Sequence, residues 1–221
     1  VELGDTALTV AANGKLTVKD SDSAGGGALT TDGEFTLQVS GGTLTLECGS
    51  IRNTHGGDGN SGGTAITTSY SSGGTVNIRG GTVRSENDFG VQIYGAGTLQ
   101  ITGGSVVSGS GTAVVLREDS PENSAEISGG NITGWTGGIF NRNKDFKNAM
   151  ISGGVITLSA DNPSPGKQFA VNAAEITKGT LRAKDQSCIV GDNVESVELR
   201  PIEGTDAEGY YVRTAGNPGT P

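Results

Sequence analysis

Side chains able to do chemistry are few in this chain. It holds one histidine, His55, and two cysteines, Cys48 and Cys188. A zinc centre needs clustered ligands of those types, so none is expected. His55 lies in the stretch NTHGGDG (53–59), with no carboxylate-flanked Ser or Cys to make it a triad member. Carboxylates gather in REDSPENS (117–124), where Glu118, Asp119 and Glu122 offer oxygen ligands for Ca2+ with Arg117 or Arg142 nearby. A solvated charged loop is the plainer account, so no cofactor is expected. Trp135, the one tryptophan, follows the turn NITG. Its ring would stack on the C–H face of a pyranose, or equally anchor its loop in the core.

Whatever these residues do, a repeated scaffold must position them. The strings VSGGTLTL (39–46), IRGGTVRS (78–85), ITGGSVVS (101–108), ISGGNITG (127–134) and ISGGVITL (151–158) share one frame: aliphatic, any residue, Gly-Gly, any residue, aliphatic. The starts at Ile78, Ile101, Ile127 and Ile151 are 23, 26 and 24 residues apart. A period in that range marks a repeat architecture. Each interval divides into three short strands, which predicts a single-domain, all-β, right-handed parallel β-helix of about seven coils. The expected helix spans 1–215, with degenerate coils and a cap over 1–39 and a second cap over 188–215. Residues 216–221 read as a linker to a region further on. The glycine pairs read as corners between strands, where positive φ is needed, and not as phosphate cradles.

Alternation within the strands assigns faces. Val76/Ile78, Leu99/Ile101, Ala125/Ile127 and Ala149/Ile151 are expected to point inward, as are Leu44, Val83, Val106, Ile132, Ile156 and Leu181 after the corner. On the third strand of each coil the same rule sends Ile66, Gln92, Tyr94, Val114, Leu116, Phe140 and Arg142 outward. An outward apolar strip of this kind marks a binding surface, an assembly surface, or ground covered by a loop. Tyr94, Phe140, Arg142, Gln92 and Trp135 are therefore the candidate carbohydrate-binding residues. On the strand before the corner the outward column reads Asn77, Gln100, Glu126, Met150 and Glu175. It places Met150 between two carboxylates about 10 Å apart, too far to share one cation.

Composition agrees with the scaffold. Glycine supplies 39 of 221 residues, about 18% against a usual level of about 7%, without the three-residue period of collagen. The net charge of −9 repels phosphate backbones, so nucleic acid is not an expected partner. No stretch approaches the roughly 18 apolar residues of a membrane span, so membrane insertion is not expected. The two cysteines fall about five coils apart, roughly 24 Å, and are expected to be unpaired and buried.

The opening GKLTVKDS (14–21), the string GGTLTLECGSIRN (41–53), the Gly-Gly coils and the closing YVR (211–213) resemble β-helical repeat regions of large surface and secreted proteins of Gram-positive gut bacteria. The likeness covers most of residues 8–215. It implies an extracellular, secreted or cell-wall-attached parent with further domains, and an adhesin-like or carbohydrate-binding role towards a glycan or a cell-surface polysaccharide. A rigid spacer is compatible with the same likeness. The alternative is a polysaccharide lyase or glycoside hydrolase of the pectin-lyase-like type. Against it, the strings Asn-Thr-Asp, Asp-Asp, Gly-His-Gly and Arg-Ile-Lys that galacturonan hydrolases carry on successive coils do not occur here.

Overall fold

The computed structural model describes residues 6–21, 27–56, 62–117, 122–143, 148–196, 199–202 and 204–216. Its strands form seven rungs. The first contains β1 (Thr6–Val10), β2 (Lys15–Val18) and β3 (Ala28–Thr31). The second contains β4 (Phe35–Val39), β5 (Thr43–Leu46) and β6 (Ser50–Asn53). The third contains β7 (Thr64–Thr68), β8 (Thr75–Ile78) and β9 (Thr82–Ser85). The fourth contains β10 (Val91–Ile93), β11 (Thr98–Ile101) and β12 (Ser105–Ser108). The fifth contains β13 (Thr112–Leu116), β14 (Ser124–Ile127) and β15 (Asn131–Gly134). In the sixth, β16 (Gly137–Asn141) is followed by one long strand, β17 (Ala149–Leu158). The seventh repeats that pattern with β18 (Phe169–Asn172) and β19 (Glu175–Ala183). Two short strands, β20 (Glu195–Ser196) and β21 (Tyr211–Ala215), close the end, with β21 antiparallel to β19.

Every strand of a rung pairs in parallel with its equivalent on the next. The first strands of the rungs make a seven-stranded sheet, β1-β4-β7-β10-β13-β16-β18, here called the first face. The other two strands of each rung belong to one larger sheet bent at the glycine pairs, giving a second and a third face. The chain is thus a parallel β-helix, as the periodicity predicts.

Register makes the core a set of apolar columns. Ile78, Ile101, Ile127, Ile151 and Ile176 stack on the second face. Ile51, Val83, Val106, Ile132, Ile156 and Leu181 stack on the third. Leu37, Ile66, Val91, Val114, Ile139 and Val171 stack on the first. All belong to one buried cluster. Such branched side chains suit the pleated, parallel stack.

The corners explain the glycines. At Gly103, Gly129 and Gly153 an added Cβ would lie 2.2–2.5 Å from the backbone carbonyl of the preceding rung, while Gly104, Gly130 and Gly154 take φ of 75°, 84° and 85°. The first glycine of each pair permits close approach of the rungs and the second permits the left-handed bend.

Two sequence-based placements are corrected. Leu44 does not share a column with Val83; it pairs with Val76, and Ile51 takes the position beside Val83. Gly41-Gly42 lies between β4 and β5, a different corner from Gly80-Gly81 between β8 and β9, so the same letters serve two bends. Ile66, Val114 and Leu116 do not face outward. Each is fully buried in the core cluster, so the continuous outward apolar strip does not exist. All five residues of β7 and of β13 are buried, which erases the alternation that would have fixed their faces.

Candidate functional site

The side of the first face opposite the core carries two columns of side chains. Gln92, Val115 and Phe140 are register partners on β10, β13 and β16, alternating with the core residues Val91, Val114 and Ile139. Just past the strands, Tyr94, Arg117 and Arg142 leave the sheet at equivalent points on three successive rungs. The Arg117 N–H donates to the Ile93 carbonyl (3.0 Å) and the Arg142 N–H to the Leu116 carbonyl (2.9 Å). With rungs about 4.8 Å apart, the three cover about 10 Å along the axis.

Each aromatic ring has a guanidinium over it. Arg117 Cζ lies 5.2 Å from the Tyr94 ring centroid, and Arg142 Cζ lies 5.9 Å from that of Phe140. Both distances are within cation–π range. Tyr70 meets Tyr94 edge-on, with centroids 6.2 Å apart. Tyr94, Arg117, Phe140 and Arg142 are half-buried, whereas Gln92 is 5% and Val115 1% exposed. Gln92 is therefore the floor of the patch, and the rings and guanidinium groups are its surface. Trp135 is 41% exposed but stands elsewhere, at the start of β16 rather than its end. Five strand residues, about 17 Å, separate it from Arg142.

Buried amides fix the backbone beneath the arginines. Asn123 Nδ2 donates to the Arg117 carbonyl (2.7 Å), Asn143 Nδ2 to Asn123 Oδ1 (2.6 Å), and the Asn143 N–H to Asn141 Oδ1 (2.9 Å). All three asparagines are buried. Arg142 sits between two of them, so both cationic side chains spring from a rigid frame.

Asp88, in the turn before β10, feels the charges of both arginines. Its carboxylate accepts from Thr64 Oγ1 at 2.9 Å. Burial raises its pKa, against the opposing effects of the Thr64 hydroxyl, the Phe89 N–H and the charges of Arg117 and Arg142. Serines hold that turn: the Asp88 N–H donates to Ser85 Oγ (2.9 Å), and Ser108 Oγ donates to the Asp88 carbonyl. Other arginines pair with carboxylates. Arg52 and Arg84 both grip Glu86 at 2.7 Å and hold its carboxyl down to about 2, and Arg182 binds Asp206 and Glu208. Among the described residues neither Arg117 nor Arg142 is in an ion pair.

A second surface lies on the second face. Gln100, Glu126, Met150 and Glu175 stack rung by rung and edge a trough of about 360 Å³, faced by Thr102, Ser128, Ser152 and Thr177. Met150 does stand between the two glutamates. Of the loop carboxylates considered as Ca2+ ligands, Glu118 and Asp119 lie outside the described residues and Glu122 is exposed. Among the described residues no three His, Cys, Asp or Glu side chains converge on a metal site. His55 is tied down, with Nδ1 2.5 Å from the Asp32 carbonyl and its N–H donating to Asn53 Oδ1.

Reading alternation alone missed the grouping of Arg117 and Asp88 with Tyr94 and Phe140. A signal was present: Arg117 and Arg142 each follow a first-face strand, in VLRED and FNRNK. No family model, curated protein or solved structure matches the chain.

Proposed function

We propose that this β-helix is a module of an extracellular bacterial surface or secreted protein that binds a glycan on its first face. The observation that carries the reading is the pair of ring–guanidinium stacks, Tyr94 with Arg117 and Phe140 with Arg142, set on neighbouring rungs of a rigid sheet. Aromatic faces pack against sugar C–H groups while adjacent polar groups bond hydroxyls. A patch about 10 Å long suits about two sugar units of an extended chain. It encloses little of its ligand, so binding is weak and gains strength from repetition in a longer parent.

Cleavage is a second reading, favoured by Asp88, a half-buried carboxyl whose pKa is raised by burial and which feels the charges of two arginines. A glycan-array screen run in parallel with an assay for unsaturated and reducing-end products separates the two. Binding without product supports the module; turnover lost in Asp88→Asn supports the enzyme. Neither binding nor turnover leaves a rigid spacer.

A further inference from the structure

We infer that the first-face patch selects an anionic saccharide, one bearing a carboxylate or a sulfate, and seats that group on Arg117 and Arg142. The inference rests on the glycan-binding reading above and names the ligand class.

Four observations support it. The two arginines leave the backbone on adjacent rungs, at points about 4.8 Å apart, close enough for both to reach oxygens of one oxyanion. Among the described residues neither is in an ion pair, and Arg117 Nε is buried with no hydrogen-bond partner. A buried donor left unmade is uncommon in a folded protein and points to an acceptor supplied from outside. The Asp88 carboxyl feels the charges of both arginines in the free protein, and a ligand oxyanion takes over that role. Finally, Tyr94 and Phe140 place rings beside the cations, which suits a sugar carrying an acid better than a bare ion. An acidic peptide fits less well. Strands β10, β13 and β16 are paired on both sides, so no free backbone edge is available to add a peptide strand. The net charge of −9 gives no long-range attraction for an anion, so recognition is by contact.

Calorimetric titration of the whole chain tests this with three tetrasaccharides of equal length, one neutral, one uronate-bearing and one sulfated, and an acidic tetrapeptide. The charged saccharides are expected to bind at least about tenfold more tightly than the neutral one, the loss typical of a charge-assisted hydrogen bond. Their affinity should fall with added NaCl. Whichever of the two binds tighter identifies the substituent. Arg142→Gln should abolish the preference without moving the thermal midpoint, and Arg142→Lys should restore only part of it. If Arg142→Gln disturbs folding, Arg117→Gln and the salt titration of the unmodified chain decide instead. Equal binding of neutral and charged saccharides overturns the anionic preference and leaves glycan binding standing. No saccharide binding overturns both. Tetrapeptide binding as tight as that of the charged saccharides overturns the saccharide class.

Discussion

Tyr94 and Phe140 are both half-buried, each with a guanidinium over its ring, and on the proposed reading each offers the rest of its ring to a glycan. Replacing either with alanine should weaken glycan binding by roughly 0.5–1.5 kcal/mol, about two- to tenfold, measured by titration. Trp135→Ala should leave affinity unchanged, because its indole stands at the other end of β16. Glu86 makes a different prediction, one about acid stability. Its folded pKa of about 2 lies below the ordinary 4.5, so the stability it contributes is complete above 4.5 and is lost as pH falls through about 2. The cluster is partly exposed to solvent, so the contribution is about 1 kcal/mol or less. Glu86→Gln should flatten the pH dependence of the melting midpoint in that window, lowering the midpoint slightly at neutral pH and converging with the parent near pH 2. Asp88 titrates with the opposite sign. Burial raises its pKa, so the charged form opposes folding at neutral pH. Tyr94, Phe140 and Arg142 were legible in the sequence as outward, chemically distinctive residues. Asp88 was not, because what singles it out is partial burial within a turn, and that depends on Thr64, Ser85 and Ser108 of three different strands.

At the scale of the element, the Gly-Gly period alone revealed strands, coils and stacking. The third-face column of Val106, Ile132 and Ile156 followed directly, since a strand with one apolar face leaves only one orientation. Ile132→Asp should abolish folding, seen as loss of the cooperative melt, because an unpaired charge would sit in that column at a cost of several kcal/mol. Gly130→Ala should destabilise by about 1–2 kcal/mol in denaturant titration, as a side chain is forced into the left-handed region at φ 84°. Where the reading slipped, the physics is equally specific. TAITT and TAVVL are buried along their whole length, so period-2 alternation carries no information there. The early string VSGGTLTL matched the repeat in letters while lying at a different corner. At Gly153-Gly154 and Gly179 the bend is taken inside β17 and β19 rather than between strands, with a register shift in their pairing.

Over the whole molecule, rung stacking sets what can meet. Cys48 follows β5 of the second rung and Cys188 follows β19 of the seventh; both are free thiols. Cys188 is buried and burial pushes its thiol pKa up, whereas Cys48 is only half-buried and accepts a hydrogen bond from the Asp20 N–H at 3.1 Å. Thiol labelling of the native protein should therefore modify Cys48 well before Cys188, with both reacting after unfolding. The same stacking brings Tyr94, Arg117 and Arg142 from positions 23 and 25 residues apart into one patch, which is the basis of the proposed binding role. The most direct test is amide chemical-shift mapping of the isotope-labelled chain against an acidic oligosaccharide. Shifts should concentrate at residues 92–94, 115–117 and 140–142, three stretches distant in sequence and adjacent only on the first face. Shifts centred instead on Trp135, or on the trough around Glu126, Met150 and Glu175, would contradict it.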